Sequence, residues 1–363
     1  MRLPSGIFNT FYEQDAAILR TPWRRFWFMV LSMFLLLFPL MSGSYLLHLT
    51  IITGITIIIA QGLNILMGLC GQVSVAQMAF AGVGAYTSAI LALEFHLPFF
   101  LHLGAGGLMA GMIGLIFAYP SLRLRGWYLV FTSLAAQQII IYLLRTWKDL
   151  TRGDVGFQVP YLEIAGYPLK DEMAYYYLVL FFVGAGTLIT VNLLRTKLGR
   201  TFVAIRDNDL AAEGLGISVA GYKMIAFFIC CFFAGIGGAL WAHCDRYLMP
   251  ESWGLWSSIW YMGYLVIGGI GTAFGPIYGV ICLTVIVEVM NTIVTEITRS
   301  YPYSAGLVAA AREGIFGIMV IVFLILEPRG LDHLIKRFLD IFKYWPFNRV
   351  DSHVVKGSSY FRE

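Results

Sequence analysis

The chain has 363 residues, of which 59% are hydrophobic and only 13% are charged. Soluble domains carry about 25% charged residues, so this composition excludes an ordinary soluble enzyme, a nucleic-acid-binding domain and a disordered chain. The net charge of +4 is small and selects no partner by itself. The apolar runs are long and continuous, which is typical of membrane-spanning helices and unlike the short alternating strands of outer-membrane barrels.

Ten apolar runs follow one another along the chain, and each is close to the length that a membrane-spanning helix needs, about 20 residues. They predict an all-α fold, a polytopic transmembrane helical bundle of about ten spans. An N-terminal arm, 1–25, precedes the transmembrane domain, 26–327, and a basic tail, 328–363, follows it. The predicted spans are 26–42, 46–69, 72–94, 98–120, 126–146, 174–194, 222–243, 255–273, 274–296 and 311–327.

Small residues recur four positions apart in two of these spans. In a bilayer, this spacing lets two helix backbones approach closely. We therefore predict tight helix packing at these rows. The rows are Ala81, Ala85 and Ala89; Gly84 and Ser88; and Ala234 and Gly238.

Lysine and arginine are unevenly distributed between the two sets of loops. Ten spans place both termini on one side of the membrane, and the loops of that side hold eighteen of the 25 lysines and arginines. The opposite loops hold the other seven. Because positively charged loops stay in the cytoplasm, we expect both termini and the 195–222 loop to be cytoplasmic.

Two further segments are long enough to have a role of their own. The 147–173 loop is expected to lie outside, and its Gly, Pro and aromatic residues predict a small ordered cap that contacts an external partner. The tail continues from Pro328 as a basic, aromatic stretch. Such a stretch suits the surface of a lipid membrane.

The cytoplasmic 195–222 loop predicts a short helix lying along the membrane. Asp207 or Asn208 can cap its first turn, and Gly214 and Gly216 can end it. A helix of this kind can dock in a groove of a soluble partner. The alternative is an ordinary connecting loop, and the residue types alone leave both open.

The same loop resembles a known family. Its sequence Ala-Ala-Glu-Gly-Leu-Gly-Ile at 211–217 resembles the coupling-loop motif of bacterial ABC import permeases. The wider pattern, over roughly 45–332, is similar to the branched-chain amino acid permease family and specifically to its larger, M-type subunit. The other segments that fit this family, in the same order, are 62–86 (GLN…G…GQVS…GVGAY), 122–128 (LRLRGWY), 268–279 (GGIGT…GP…G) and 328–331 (PRGL).

The resemblance implies a permease subunit, not an enzyme, in a bacterial inner membrane. Its implied partners are a second permease subunit, two cytoplasmic ATPase subunits and an external solute-binding protein. ATP and magnesium would bind those ATPases, so no cofactor is expected on this chain, which also lacks the Gly-Lys dipeptide of a P-loop. The residues implied to form the ATPase-coupling element are Arg206, Asp207, Ala211, Ala212, Glu213, Gly214 and Gly216.

Polar side chains in and beside the second and third spans are candidates for the translocation path. Buried polar groups are costly in a bilayer and often mark a solute route, so we hypothesise that Asn64, Gln72, Ser74 and Gln77 line one. The alternative is that Gln72 and Ser74 only close a hairpin by hydrogen bonding. Gln77 stands where the family commonly has histidine, which leaves the solute open among branched-chain amino acids, urea, amides and aromatic acids.

Other function classes have weaker support in the sequence. An ion-coupled secondary transporter acting alone would use an acidic group at mid-membrane, and Glu288 is the candidate, although we expect it to pair with a neighbouring helix or subunit. A membrane enzyme would need clustered catalytic side chains, and a channel would leave the 195–222 loop unexplained. We expect no metal at His243-Cys244-Asp245, because adjacent residues at one helix end do not converge.

Overall fold

The structure of the protein is a computed structural model. It describes residues 22–95, 97–121, 127–164, 167–169, 171–300, 314, 317–325, 327 and 330–344. Three predicted regions therefore lie largely or partly outside the described residues: the N-terminal arm, the last predicted span and the end of the tail. The resembling segment at 122–128 is described only from residue 127.

The described chain is almost entirely helical. A π-helix, Asn64–Leu69, continues α2, short 3₁₀ turns occupy Gly153–Val155 and Pro250–Trp253, and 317–325 is also helical. The helices are α1 (Pro22–Met41), α2 (Ser44–Leu63), α3 (Gln77–Glu94), α4 (Phe99–Ser121), α5 (Trp127–Thr146), α6 (Lys148–Thr151), α7 (Glu172–Arg195), α8 (Lys197–Asp207), α9 (Asp209–Gly214), α10 (Val219–Asp245), α11 (Leu255–Gly268), α12 (Gly275–Ser300) and α13 (Leu331–Tyr344).

Within the described residues, four two-residue strands depart from a purely helical fold. β1 (Phe157–Gln158) pairs antiparallel with β4 (Tyr247–Leu248), and β2 (Glu163–Ile164) pairs antiparallel with β3 (Tyr167–Pro168). Three of them belong to the 147–173 loop. The described part of this loop therefore contains short ordered elements, while its position outside the membrane and its contact with an external partner stay predictions.

Helices long and apolar enough to cross a membrane confirm the multi-pass, helical class. Within the described residues there are six of them, and the apolar part of α1 is shorter. The predicted number of ten spans and the side of the termini stay predictions. The six are Ser44–Leu69, Phe99–Pro120, Tyr128–Thr146, Glu172–Arg195, Val219–Asp245 and Gly275–Ile293.

Two predicted spans have wrong boundaries. The third was expected from residue 72, but its helix α3 begins at Gln77, because Gly71 has a positive φ of 73° and the chain after it is irregular and buried. The eighth was expected to reach residue 273, but α11 ends at Gly268, because Gly269 and Gly271 have φ of 113° and 79°. Apolar composition continues through both breaks, so hydropathy could not detect them.

Helix α10 forms the centre of the bundle and packs against α2, α3 and α4. A Cβ at Gly84 would collide with the backbone of Gly235, and a Cβ at Gly238 would collide with the carbonyl group of Ala81. The backbones therefore touch where the small-residue rows predicted close packing. This contact fixes α3 against α10 along much of its length.

The two ends of the bundle gather different loops. At one end, hereafter the cap end, Arg145 lies 3.6 Å from Asp154 and 3.8 Å from Glu251, which joins α5 to the cap and to the turn before α11. At the other end, hereafter the loop end, α8, the residues after the π-helix and the first turns of α5 and α10 surround one cavity.

Candidate functional site

The 195–222 loop folds into two helices, where the sequence predicted one. Thr196 accepts a hydrogen bond from the backbone N–H of Gly199 and so caps α8, and Asn208 accepts one from Ala211 (3.0 Å) and caps α9. Of the two predicted caps, Asn208 is therefore the one used. Gly216 ends α9 in a left-handed conformation (φ 82°), and the N–H of Ile217 bonds back to the carbonyl of Ala212 (3.1 Å).

Sequence reasoning missed α8. The signals were present: Thr196 is a good N-cap residue, and Phe202 and Ile205, three residues apart, both lie buried against the bundle. At the tip of the loop, Lys223 approaches Asp209 (3.7 Å) and ties the start of α9 to the first turn of α10. The 195–222 loop therefore consists of two capped helices that are attached to the bundle.

The outer face of α9 exposes apolar side chains. Leu210 is 60% exposed and Leu215 is 82% exposed, whereas Ala212 is buried against the protein. The implied coupling residues Ala211, Glu213, Gly214 and Gly216 are exposed on the same short helix and its end. Leu210 and Leu215 are the large exposed apolar side chains of this short helix and its end.

Arg206 connects this loop to the membrane-embedded helices. Its Nη1 donates to the carbonyl oxygen of Gly68 in the π-helix (3.0 Å), while Nε and Nη2 donate to Asp207 (3.1 and 3.0 Å). Gly71 packs directly on the Arg206 side chain, where a Cβ would collide with it. The ion pair with Asp207 thus orients the guanidinium towards the end of α2.

Asn64 extends the connection to the turn between α11 and α12. Its Nδ2 donates to the carbonyl of Thr272 (2.8 Å), and its Oδ1 accepts from the N–H of Gly271 (2.8 Å). Asn64 is fully buried, and Gly68 lies against Gly271. We name Asn64, Gly68, Arg206, Gly271 and Thr272 the Arg206 joint.

The four predicted path residues have different environments. Asn64 belongs to the Arg206 joint. Ser74 is buried and accepts from the N–H of Ala76 (3.4 Å), and Gln77 donates to the carbonyl of Ile59 (2.9 Å) and accepts from Cys230 (3.1 Å). Gln72 is the one that lines the loop-end cavity. The structure does not bring the four to one surface, and their contact with solute stays a prediction.

The loop-end cavity has a volume of about 770 Å³. Gln72 lines it together with Arg206, Asp209 and Lys223. The buried Oε1 of Gln72 has no hydrogen-bond partner within the described chain. The cavity therefore lies where the 195–222 loop, the end of α2 and the start of α10 meet.

A buried polar network that the sequence did not predict surrounds the start of α3. The N–H groups of Val75, Met78 and Ala79 donate to Ser133 (3.0 Å), Ser258 (3.0 Å) and Gln137 (3.2 Å), respectively. Ser258 also donates to Gln137 (3.1 Å). A helix that begins inside the bundle leaves backbone N–H groups unpaired, so side chains from α5 and α11 act as its cap.

Two remaining sequence candidates have local partners. Glu288 accepts a hydrogen bond from Tyr45 (2.6 Å), so it does pair with a neighbouring helix. His243 turns towards Ser88 (Nε2 to Oγ, 3.2 Å) and away from its sequence neighbours. The ligand atoms of Cys244 and Asp245 instead lie within 4.8 Å of His48, although Asp245 already accepts from Trp241 (2.6 Å).

A family model described as the permease component of the branched-chain amino acid transport system matches residues 45–324. The chain belongs to this family of membrane transport permeases. It is 32% identical over 277 residues to the high-affinity branched-chain amino acid transport system permease protein LivM of Escherichia coli, a match that covers 70% of this chain and 65% of that protein. No solved structure matches.

Two other relatives carry similar names. The Salmonella typhimurium LivM protein is 30% identical over 292 residues, which cover 74% of this chain and 69% of the relative. A probable branched-chain amino acid transport permease of Methanocaldococcus jannaschii is 23% identical over 61% of this chain and 64% of its own length. The chain thus spans about two thirds of the length of these relatives.

Proposed function

We propose that this chain is the permease subunit of an ABC importer in a bacterial inner membrane, and that it forms part of the translocation path for branched-chain amino acids or a similar small polar solute. Family membership supports the transport role. The observation that carries the coupling to ATPases is the exposed pair Leu210 and Leu215 on a helix that is capped, tied down and joined to the bundle through Arg206.

The partners in this proposal are a second permease subunit, two cytoplasmic ATPase subunits and an external binding protein that delivers the solute at the cap end. ATP and magnesium bind the ATPases and not this chain. An apolar surface such as that of α9 fits a groove in a soluble partner, because burial of exposed leucine side chains stabilises an interface.

The coupling then follows the contacts of the Arg206 joint. A displacement of α9 by the closing ATPases moves α8, and Arg206 transmits it to Gly68 and, through Asn64, to the Gly271–Thr272 turn. Ends of α2, α11 and α12 meet there, so one movement reaches three helices. Alternating access requires two packings that differ by only a few kcal/mol.

The test is a mild-detergent pull-down of the tagged chain from native membranes, with stoichiometry by mass spectrometry. We expect one second permease subunit and two ATPase subunits. The variant Leu210→Glu/Leu215→Glu should lose the ATPases and keep the second permease. Val155→Glu, an equally exposed apolar residue at the cap end, is the matched control and should keep both.

Recovery of this chain alone, still active in transport, would contradict the proposal. It would favour the ion-coupled transporter and direct attention to Glu288. Retention of the ATPases by the Leu210→Glu/Leu215→Glu variant would show that α9 is not their docking element.

A further inference from the structure

A groove with polar walls lies between α2, α11 and α12, away from the loop-end cavity. It has a volume of about 290 Å³. Its lining extends from Ser252, in the turn at the cap end, to Met78, in the first turn of α3. We name it the hydroxyl groove, after the side chains Thr53, Thr56, Ser257, Tyr261, Tyr264 and Thr284.

Tyr261 is the feature that points to a ligand. Its side chain is 97% buried, since only 3% of the residue is exposed, and its hydroxyl makes no hydrogen bond of normal geometry within the described residues. The hydroxyl of Thr56 interacts with it, but not in normal hydrogen-bond geometry. A buried polar group without a well-formed hydrogen bond costs up to roughly 1–3 kcal/mol, so a hydroxyl at the wall of a groove favours an occupant that can bond to it.

Other hydroxyl groups that line the groove can still accept a hydrogen bond from a ligand. Thr53 donates to the carbonyl of Leu49 (2.7 Å) and Ser257 donates to the carbonyl of Ser252 (3.2 Å). Each of these oxygens still has lone pairs that can accept. Lipid tails cannot use such groups, so polar walls at membrane depth indicate a water-filled or solute-filled route.

The chemistry of the walls restricts the occupant. Lysine, arginine, aspartate and glutamate are missing from the described residues that line the groove, so a solute with a net charge would have no counter-charge there. Trp241, Trp260 and Val287 supply apolar surface beside the hydroxyls. The volume is near the lower limit of small-molecule sites, about 300–1,000 Å³.

The end of the groove near α3 favours one orientation of a bound solute. Met78 belongs to the first turn of α3, which is the positive end of a helix dipole and begins inside the bundle. Its N–H is held by Ser258, the residue after Ser257 of the groove wall. A carboxylate oriented towards this turn is stabilised by the dipole, while an aliphatic side chain packs on the tryptophans.

We propose that the hydroxyl groove is the resting site of the transported solute within this subunit. The solute class is a small molecule of no net charge that has several hydrogen-bonding groups and one apolar part, such as an aliphatic amino acid in its zwitterionic form. This proposal rests on the proposed transport function and names the place and the chemistry of its solute site.

The experiment uses the complete transporter reconstituted in proteoliposomes, with radiolabelled leucine delivered by its binding protein. Tyr261→Phe removes one hydroxyl and keeps the ring, and we expect uptake per ATP hydrolysed to fall about threefold to tenfold. Tyr142→Phe, on the exposed face of α5, makes the same chemical change outside the groove and should have no effect. Thr284→Trp fills the groove and should abolish uptake while ATPase activity persists.

The outcomes separate this proposal from the function on which it rests. If the unchanged transporter lacks ATP-driven uptake, the proposed function fails. If it transports normally, and Tyr261→Phe and Thr284→Trp transport as it does, the groove is not the solute site. A solute-independent cross-link from Thr284→Cys to the second permease subunit would also overturn the proposal, since the groove would then be a subunit contact.

Discussion

Replacement of Arg206 by alanine tests whether the Arg206 joint couples the loop to the membrane helices. The change removes the hydrogen bond from Nη1 to the Gly68 carbonyl and the two bonds to Asp207. Uptake should fall, because α8 then no longer holds the π-helix at the end of α2. Complex assembly should persist, since Leu210 and Leu215 are untouched.

The magnitude follows from the bond to Gly68. A hydrogen bond from a charged donor contributes roughly 1.5–3 kcal/mol. The Arg206 side chain is 39% exposed, so solvent screening favours the lower end, about 1.5 kcal/mol. That value corresponds to a factor of about ten in the equilibrium between coupled and uncoupled loop positions. We therefore expect uptake per ATP hydrolysed to fall by up to about tenfold.

The assay measures leucine uptake and phosphate release in the same proteoliposomes. Arg200→Ala is the matched control, because Arg200 is an exposed arginine on the same helix. Asn64→Leu breaks the next contact of the joint, so its effect should be non-additive with that of Arg206→Ala. An uptake-to-ATP ratio within twofold of the unchanged protein in Arg206→Ala would refute the role of the joint.

Two further predictions concern glycines that have matched controls. Gly216→Ala should destabilise α9, because a left-handed conformation costs a residue with a Cβ roughly 1–2 kcal/mol. Hydrogen exchange of the α9 amides should therefore become faster. Gly214→Ala, which lies within the helix, should make the same exchange slower. Gly238→Ala should lower the melting temperature in detergent by several degrees, because its Cβ meets the Ala81 backbone and overpacking costs typically 1–3 kcal/mol. Gly184→Ala has open space and should melt within a degree or two of the unchanged protein. If Gly216→Ala and Gly214→Ala exchange alike, the role of the left-handed conformation at Gly216 is contradicted. If Gly238→Ala and Gly184→Ala melt alike, the close contact of Gly238 with Ala81 is contradicted.

The solute-path hypothesis illustrates why polar side chains in a span are hard to interpret from sequence. Asn64, Ser74 and Gln77 are buried and polar, as predicted, yet each is bonded to backbone or to a neighbouring side chain. Ser133, Gln137 and Ser258 were not singled out, because one polar residue in a helix gives no sign that another helix begins beside it. The backbone N–H groups that donate to Ser133, Gln137 and Ser258 are more than 50 positions away in the chain.

The start and end of α9, in the 195–222 loop, were predicted more successfully, because their signals are local. Asn208 and Gly216 act on backbone groups within three or four residues, so their types predict the start and end of α9 directly. Its attachment to the bundle was not predictable. Arg206 reaches Gly68, and Lys223 reaches Asp209 across the loop, and both contacts depend on how the helices pack.

The amino-acid sequence by itself determined the class of protein, the helical spans whose apolar runs are unbroken, and the small-residue rows at which α3 meets α10. These features follow from side-chain type and spacing along one segment. Only the tertiary structure decided that α3 begins at Gln77, that Asn64 and Arg206 share one joint, and that hydroxyls from three helices form a groove. Such features depend on which backbone groups are left unpaired and on which distant side chain lies close enough to satisfy them.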